Sequence, residues 1–244
     1  MWKNQTISVL LPTYNEKESI RRCILEFAET GIVDEIIVIN NNAAPGTSEE
    51  VAGTPAREVF ETKQGYGCAI QRGFREAKCD LIVLCEPDGT FSPHDIWKLL
   101  AYSEDFEVVL GTRTTSVMIW QGANMGFALK WGNWAVAKMM EFLFNTTTLT
   151  DVGCTMRLIR RSALEVIEPA FTVGGSHFGV EMMLLIALRR LKFIEIPLNY
   201  RPRVGVSSVT GSMRKAVILG FIMIWTILKY RWRGLITSSW RSRQ

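Results

Sequence analysis

The sequence is poor in the residues that build disulfide frameworks, thiolate metal sites and histidine-based centres. It has 244 residues, with only two histidines and five cysteines. No two cysteines have the Cys-x-x-Cys spacing, and the odd count argues against a disulfide framework. We therefore expect a cytosolic protein whose cysteines are reduced and serve as small core residues. They are Cys23, Cys68, Cys79, Cys85 and Cys154. Residues 1–5 lead straight into a strand-like run, so no signal peptide is predicted.

Acidic residues are missing from the end of the chain. No Asp or Glu follows Glu195, whereas the preceding residues carry a net charge of minus five. A basic tail favours an anionic partner, either nucleic acid or a lipid surface. No nucleic-acid-binding motif accompanies the charge, so we expect no nucleic acid partner. The nine basic residues of the tail are Arg201, Arg203, Arg214, Lys215, Lys229, Arg231, Arg233, Arg241 and Arg243.

The sequence also lacks a hydrophobic run that is long enough to cross a bilayer. The longest uncharged stretch of the tail, 216–228, would rise about 20 Å as a helix, against a hydrocarbon core of about 30 Å. Lys215 precedes it, and the aromatic and basic residues 229–233 follow it. Such flanks favour a helix at the membrane interface, with peripheral attachment to the cytoplasmic face. A helix buried on the core, or one that forms a homo-oligomer, is an open alternative.

Near-continuous apolar strands alternate with helices in the first half of the chain. This rhythm predicts an α/β fold with a mostly parallel sheet, covered by helices on both faces. Ligands of such sheets bind at the carboxyl ends of the strands. The second half opens with a Met- and Trp-rich region, 117–144, of one or two helices, whose apolar stripe suits either the core or an acyl chain. The predicted strands are 7–11, 35–39, 56–61, 81–84, 107–110 and 193–197, and the other predicted helices are 16–30, 67–77, 93–103 and 180–191.

Two carboxylates, Glu86 and Asp88, follow the buried strand 81–84 directly. The Pro87 turn between them lifts the second acid out of the sheet. Sparse oxygen ligands at a rigid strand end suit Mg²⁺ or Mn²⁺, with water and substrate phosphate completing the coordination. Taken alone, an acid pair at a strand end is more often a solvated turn than a metal site.

Six motifs in order resemble family-two glycosyltransferases with the GT-A fold, a Rossmann-like sheet. The resemblance covers about residues 6–210, which predicts a catalytic domain at 1–210 and an interfacial helical tail at 211–244. The later motifs resemble the polyprenyl-phosphate (dolichol-phosphate) mannosyl- and glucosyltransferase branch. The matching segments are 11–16, 40–47, 63–69, 86–88, 111–113 and 150–157, followed by 195–203.

The resemblance implies a metal-dependent hexosyltransferase that uses a UDP- or GDP-sugar, with Mg²⁺ or Mn²⁺ held by Glu86 and Asp88. Thr90 falls at a possible third ligand position. The side chains that would grip phosphates are Arg113, Lys130, Arg157 and Arg203, and Lys130 falls where the branch carries an acceptor-binding Arg. The nucleotide-sugar would contact Pro12, Tyr14, Glu16, Asn40, Asn42, Gln64, Gly65, Gly67 and Asp88. The polyprenyl-phosphate acceptor would contact Lys130, Arg157, His177, Glu181 and Arg203.

Plainer structural roles compete with several of these assignments. Arg157 could pair with Asp151, and Glu181 could pair with Arg189 or Arg190. Arg203 could belong to a solvated basic edge, and His94 fits a helix start. The chain also departs from the family pattern, since Asn40–Asn42 stand where an Asp usually holds the base and Glu86 replaces the first Asp of the metal motif.

The sequence thus predicts an inverting glycosyltransferase that moves a sugar from a nucleotide-sugar to a polyprenyl phosphate. Two alternatives stay open, a soluble or glycan acceptor and a non-catalytic sugar-nucleotide-binding subunit.

Overall fold

A computed structural model describes residues 1–123, 127–205 and 213–241, without the side chains of 127–129, 213 and 233–241. Its centre is a sheet of seven strands in the order β3-β2-β1-β4-β6-β5-β7. β6 is antiparallel to both of its neighbours, and all other pairs are parallel. The strands are β1 (Ile7–Thr13), β2 (Glu35–Asn40), β3 (Arg57–Phe60), β4 (Leu81–Leu84), β5 (Val108–Thr112), β6 (Arg157–Arg160) and β7 (Phe193–Pro197).

Helices cover both faces of the sheet, as the sequence predicts. α1, α2 and α4 pack on one face, and α3 with α5–α8 packs on the other. Side chains of β1 alternate between the two apolar layers, with Val9 in the first and Leu10 in the second. The helices are α1 (Lys17–Glu29), α2 (Thr47–Val51), α3 (Tyr66–Glu76), α4 (Ile96–Tyr102), α5 (Phe127–Phe144), α6 (Arg161–Ile167), α7 (Phe178–Leu188) and α8 (Met213–Arg241), and short 3₁₀ turns lie at Pro93–Asp95, Ser116–Met118 and Glu168–Ala170.

The structure corrects several predicted boundaries. β1 runs through Pro12 to Thr13. This is possible because the pairing of β1 with β4 ends at Leu10, so the N–H that Pro12 lacks is not needed for a hydrogen bond between strands. The predicted helix 93–103 begins as a 3₁₀ turn that includes His94. α2, β6 and α6 have no counterpart in the prediction, because each is short and lacks a clear period. The predicted strands 81–84 and 193–197 occur unchanged, and within the predicted helical region 117–144 the long helix begins only at residue 127. The other predicted strands and helices of residues 1–197 occur with ends shifted by one to three residues.

The antiparallel insertion of β6 decides which loops share an edge. The carboxyl ends of β1, β2, β4 and β5 lie at one edge of the sheet. Because β6 runs the other way, its first residue, Arg157, pairs with Leu84 at that same edge. The acids that follow β4 and the arginine that begins β6 therefore occupy one end of the molecule.

α8 is a single helix of 29 residues. Its buried residues Met223, Ile227 and Tyr230 join the apolar layer formed by α5 and α7. The opposite face of α8 exposes large apolar side chains, among them Phe221, Trp225 and Trp232. Within the described residues, no helix combines the length and apolarity needed to cross a membrane. All five cysteines are buried and free, as expected.

Candidate active site

A short backbone pairing carries Arg203 to the two acids after β4. Arg201 N donates to Thr90 O at 2.7 Å, and Val204 N donates to Asp88 O at 2.9 Å. The Arg203 guanidinium consequently forms an ion pair with Asp88 Oδ2 and lies 3.3 Å from Glu86 Oε2. The two acids raise the pKa of Arg203 in spite of its burial. Arg203 is therefore a partner of the acidic pair and not part of a solvated basic edge.

The two oxygens of Asp88 have different surroundings. The side chain is fully buried, and Oδ1 accepts hydrogen bonds from Thr90 N at 2.8 Å and Thr90 Oγ1 at 2.5 Å. Oδ2 is buried, and its one partner among the described residues is the Arg203 guanidinium, which forms an ion pair with it without an aligned hydrogen bond. Thr90 thus orients Asp88 so that Oδ2 retains capacity for a further positive partner.

Glu86 completes a charge arrangement that fits a divalent cation. Burial, and then the adjacent charge of Asp88, raises the pKa of Glu86 to about 7, and Arg203 offsets this only in part. Two carboxylates and one arginine leave an excess negative charge. Among the described residues, no cluster of three or more Asp, Glu, His or Cys side chains could enclose a metal. The pair therefore suits an ion that takes its other ligands from water or phosphate.

Arg113, which follows β5, forms a fork-shaped ion pair with Asp151. Nε lies 2.8 Å from Asp151 Oδ2, and Nη2 lies 2.9 Å from Oδ1. Burial raises the pKa of Asp151, but the charge and hydrogen bonds of Arg113 lower it by more. The guanidinium also lies over the ring of Tyr200, 5.4 Å from its centre. Asp151 thus pairs with Arg113, and the suggested pair between Arg157 and Asp151 is wrong.

Arg157 is buried at the start of β6 and is held by backbone carbonyls. It donates to Cys154 O and Gly179 O at 2.9 Å and to Val152 O at 3.2 Å. No carboxylate of the described residues forms an ion pair with it, and burial lowers its pKa. Arg157 lines a small cavity whose walls are mostly apolar. Tyr66 of α3, Phe178 of α7 and Met223 of α8 also line it.

Lys130 is half-buried in the first turn of α5, a few residues before Asn133. A side chain at Gly153 would collide with both Asn133 and Arg113. The start of α5, the Gly153 loop and Arg113 therefore meet at one place, and the role of Lys130 as an acceptor ligand stays a prediction.

The predicted nucleotide residues after β1 and β2 lie at the same edge of the sheet. Glu16 Oε2 accepts hydrogen bonds from the backbone N–H groups of Tyr14, at 2.7 Å, and Asn15, at 2.9 Å. The Asn40 amide donates to Glu58 Oε1 at 2.8 Å. Glu16 and Asn40 thus shape these turns, whereas the side chains of Tyr14 and Asn42 are exposed.

The sequence interpretation missed Asn41, which fixes the loop before α3. Its amide donates to Glu61 O at 2.7 Å and Lys63 O at 2.9 Å, and its oxygen accepts Gly65 N at 2.8 Å. Asn42 in turn donates to Gln64 Oε1 at 2.9 Å. The central position of Asn41 in an Asn triplet is the signal that could have found it.

Two glycines of that loop face protein backbone. A side chain at Gly65 or Gly67 would collide with the carbonyl of Gly174 or Val173. Gly65 also has a φ of +145°, which few other residues adopt. The close approach that these glycines permit within the chain is to the loop 173–174.

His177 and Glu181 lie at the start of α7 with different surroundings. His177 is half-buried, and burial lowers its pKa. Glu181 is fully buried, and its carboxylate accepts hydrogen bonds from Thr172, Val173 and Tyr230. These partners replace the suggested pair with Arg189 or Arg190.

The fold and this edge define a GT-A-like α/β protein with an acidic pair, a paired arginine and a cationic cavity. Residues 8–168 match the family described as Glycosyl transferase family 2, and the chain belongs to that family. It is a glycosyltransferase, as the motifs predicted.

Proteins that are similar to the chain include two curated relatives and one solved structure. The low-salt glycan biosynthesis hexosyltransferase Agl6 of Haloferax volcanii is 27% identical over 84% of this chain, which spans only 50% of that relative. The undecaprenyl-phosphate mannosyltransferase of Micrococcus luteus is 26% identical over 94% of this chain and 97% of its own length. Glucosyl-3-phosphoglycerate synthase of Mycobacterium tuberculosis, solved with Mn²⁺, UDP and phosphoglyceric acid, superposes with a TM-score of 0.72 at 18% identity, covering 93% of this chain and 79% of that one.

Proposed function

We propose that the protein is an inverting glycosyltransferase that moves a sugar from a UDP- or GDP-sugar to a polyprenyl phosphate at the cytoplasmic face of a membrane. A phosphate oxygen of the acceptor attacks the anomeric carbon of the sugar. The bond from that carbon to the nucleotide diphosphate breaks, and its electron pair leaves with the diphosphate. Since the acceptor is already ionised, the reaction needs charge balance and positioning more than a general base.

The donor half of this proposal depends on Glu86, Asp88 and Arg203. The two acids would hold Mg²⁺ or Mn²⁺, which would neutralise charge on the departing diphosphate. The buried Asp88 Oδ2, whose partner among the described residues is the Arg203 guanidinium alone, supports this assignment. Arg203 is poised to exchange part of its ion pair with the acids for contact with phosphate. The nucleotide would lie over the surrounding loops, against Pro12, Tyr14, Glu16, Asn40, Asn42, Gln64, Gly65 and Gly67.

The acceptor half depends chiefly on the cavity at Arg157. One wall is a buried arginine whose hydrogen bonds all go to neutral carbonyls, and another is Met223 of α8. The cavity is small, so it would seat the acceptor's phosphate against the cationic wall and leave the lipid chain outside. Lys130, His177 and Arg113 would complete the phosphate side, and the relative named for undecaprenyl phosphate points to the same acceptor class.

Transfer into the organic phase is the direct test of this function. Purified protein with Mn²⁺, radiolabelled UDP- and GDP-sugars and undecaprenyl phosphate should give label that extracts into butanol. Release of nucleotide without organic-phase label, together with labelling of a soluble acceptor, would favour the soluble or glycan alternative. Saturable nucleotide binding without any turnover would favour a non-catalytic subunit.

The exposed face of α8 supports peripheral membrane attachment. Phe221, Trp225 and Trp232 lie within about 40° of one another around the helix and are 68%, 69% and 71% exposed. Exposed Arg214, Lys215, Lys229 and Arg231 flank them. An apolar aromatic stripe with basic flanks is complementary to an anionic bilayer surface.

We expect the double variant Phe221→Ser/Trp225→Ser to bind vesicles of mixed neutral and anionic phospholipid at least about tenfold more weakly, because two large apolar contacts are lost. Flotation measures the bound fraction. The matched control is Phe60→Ser/Tyr102→Ser, which removes two exposed aromatics far from α8 and should float like the original protein. Equal flotation of the two double variants would show that the aromatic stripe does not bind lipid. If Phe221→Ser/Trp225→Ser instead loses a homo-oligomer in size-exclusion chromatography, the stripe is an interface between copies of the chain.

A further inference from the structure

The carboxylate of Glu181 connects three separate parts of the chain. It accepts Thr172 Oγ1 at 2.6 Å and Val173 N at 2.8 Å, both from the loop before α7. It also accepts Tyr230 Oη at 2.6 Å, from α8. Glu181 is fully buried, and its bond to Tyr230 is shielded from solvent, whereas Thr172 lies at the surface. Glu181 thus joins α8 to the loop 172–174.

The loop 172–174 in turn lies against the loop that opens α3. Gly174 O accepts Cys68 N at 3.1 Å, and Val173 O accepts Gln71 Nε2 at 2.9 Å. The absence of side chains at positions 65 and 67 lets the two backbones touch. A displacement of 172–174 therefore cannot occur without a change in the contacts of 65–71.

We propose that Tyr230 is a positioning residue: through Glu181 it fixes the loop 172–174 against the loop 65–67, so that the seating of α8 sets the affinity of the donor loop for nucleotide. The assignment of 65–67 to the donor rests on the proposed function. The link has a consequence for regulation, because the opposite face of α8 is the exposed aromatic stripe. Contact of that stripe with lipid would be communicated to the donor loop through the buried hydrogen bond from Tyr230 to Glu181.

The thiol of Cys68 reports on this link without any need for activity. Cys68 is buried, and Gly174 lies directly against its Sγ, so a side chain at Gly174 would collide with it. Undocking of 172–174 would expose the thiol to a reagent such as dithionitrobenzoate. The other four cysteines are buried elsewhere and serve as internal references in peptide mass mapping.

We expect Tyr230→Phe to speed labelling of Cys68 by about tenfold or more, because a hydrogen bond to a charged group is lost. The same variant should bind UDP with Mn²⁺ several-fold more weakly, and it should raise the KM for the donor while kcat is retained. Thr226→Val is the matched control. It removes a hydroxyl from a buried position of the same helix, where Thr226 donates to Ile222 O within its own helix, and it should change none of these values.

A second variant approaches the bond from the other side. Glu181→Gln should also speed Cys68 labelling, and the double variant with Tyr230→Phe should label no faster than the faster single variant, because both break one connection. Labelling of Tyr230→Phe at the original rate, or faster labelling of all five cysteines together, would overturn the proposal. If UDP with Mn²⁺ fails to bind the unmodified protein while Cys68 still responds, the link stands and the donor site of the proposed function is wrong.

Discussion

Replacement of Asp88 by asparagine is expected to lower turnover by about 10²–10³-fold, the usual effect of removing one electrostatic contact to charge that develops in a transition state. Asparagine keeps the shape of the side chain, and its amide oxygen can still accept from Thr90. It removes the negative charge that Oδ2 offers to a cation and to Arg203. The variant should therefore stay folded and lose most of the Mn²⁺-dependent part of UDP binding.

The experiment compares UDP binding with and without Mn²⁺ by titration calorimetry, alongside turnover. The matched control is Asp80→Asn, at the opposite end of β4. Asp80 accepts hydrogen bonds from Thr6 at 2.8 and 2.9 Å, which an amide oxygen can still accept, so the control removes a carboxylate charge without touching the site. It should keep the metal dependence. Unchanged Mn²⁺-dependent affinity in Asp88→Asn would remove Asp88 from the metal site.

Replacement of Asp151 by alanine is expected to destabilise the fold by about 3–5 kcal/mol, because it leaves the Arg113 guanidinium buried without its partner. The Arg113 side chain is only 14% exposed, and that of Asp151 is 0% exposed. Urea unfolding at neutral pH measures the loss. The control is Glu104→Ala, which breaks an exposed ion pair with Lys3 and should cost at most about 1 kcal/mol.

A fall in pH should reduce the difference in stability between the unmodified protein and Asp151→Ala. The fold lowers the pKa of Asp151, so its contribution is complete above the ordinary range for an aspartate and is lost as the pH falls through the folded-state value. The unmodified protein and Asp151→Ala should therefore converge in stability on acidification below that range. A constant gap between them across the acid range would mean that the charge of Asp151 is not what stabilises Arg113.

Much of the fold could be read from local patterns. Runs such as Leu81–Leu84 are apolar on both sides, which identifies buried strands of a covered sheet, and the acids directly after them must lie at its carboxyl edge. β6 could not be read in this way. It is four residues long, and two of them, Arg157 and Arg160, are arginines that the tertiary structure satisfies with distant backbone carbonyls.

The candidate site, like the fold, could be predicted from the sequence only where local patterns decide it. Glu86 and Asp88 could be proposed from the sequence because chain order alone puts them at a strand end. The partners of the cations were not found, because each depends on which loops meet across the edge. Asp151 forms its ion pair with Arg113, and Arg157 donates to backbone carbonyls instead. Arg203 contacts Asp88 because backbone hydrogen bonds join two segments that are more than a hundred residues apart in sequence.

The sequence by itself determined that this chain forms a covered α/β sheet with two acids at a strand end and a basic, aromatic helix at its end, because apolar period and charge order are local properties. Only the tertiary structure decided that Glu181 joins that helix to the loop against Gly65 and Gly67. A buried carboxylate takes whichever donors the packed elements bring to it, and those donors come from segments that no local pattern relates.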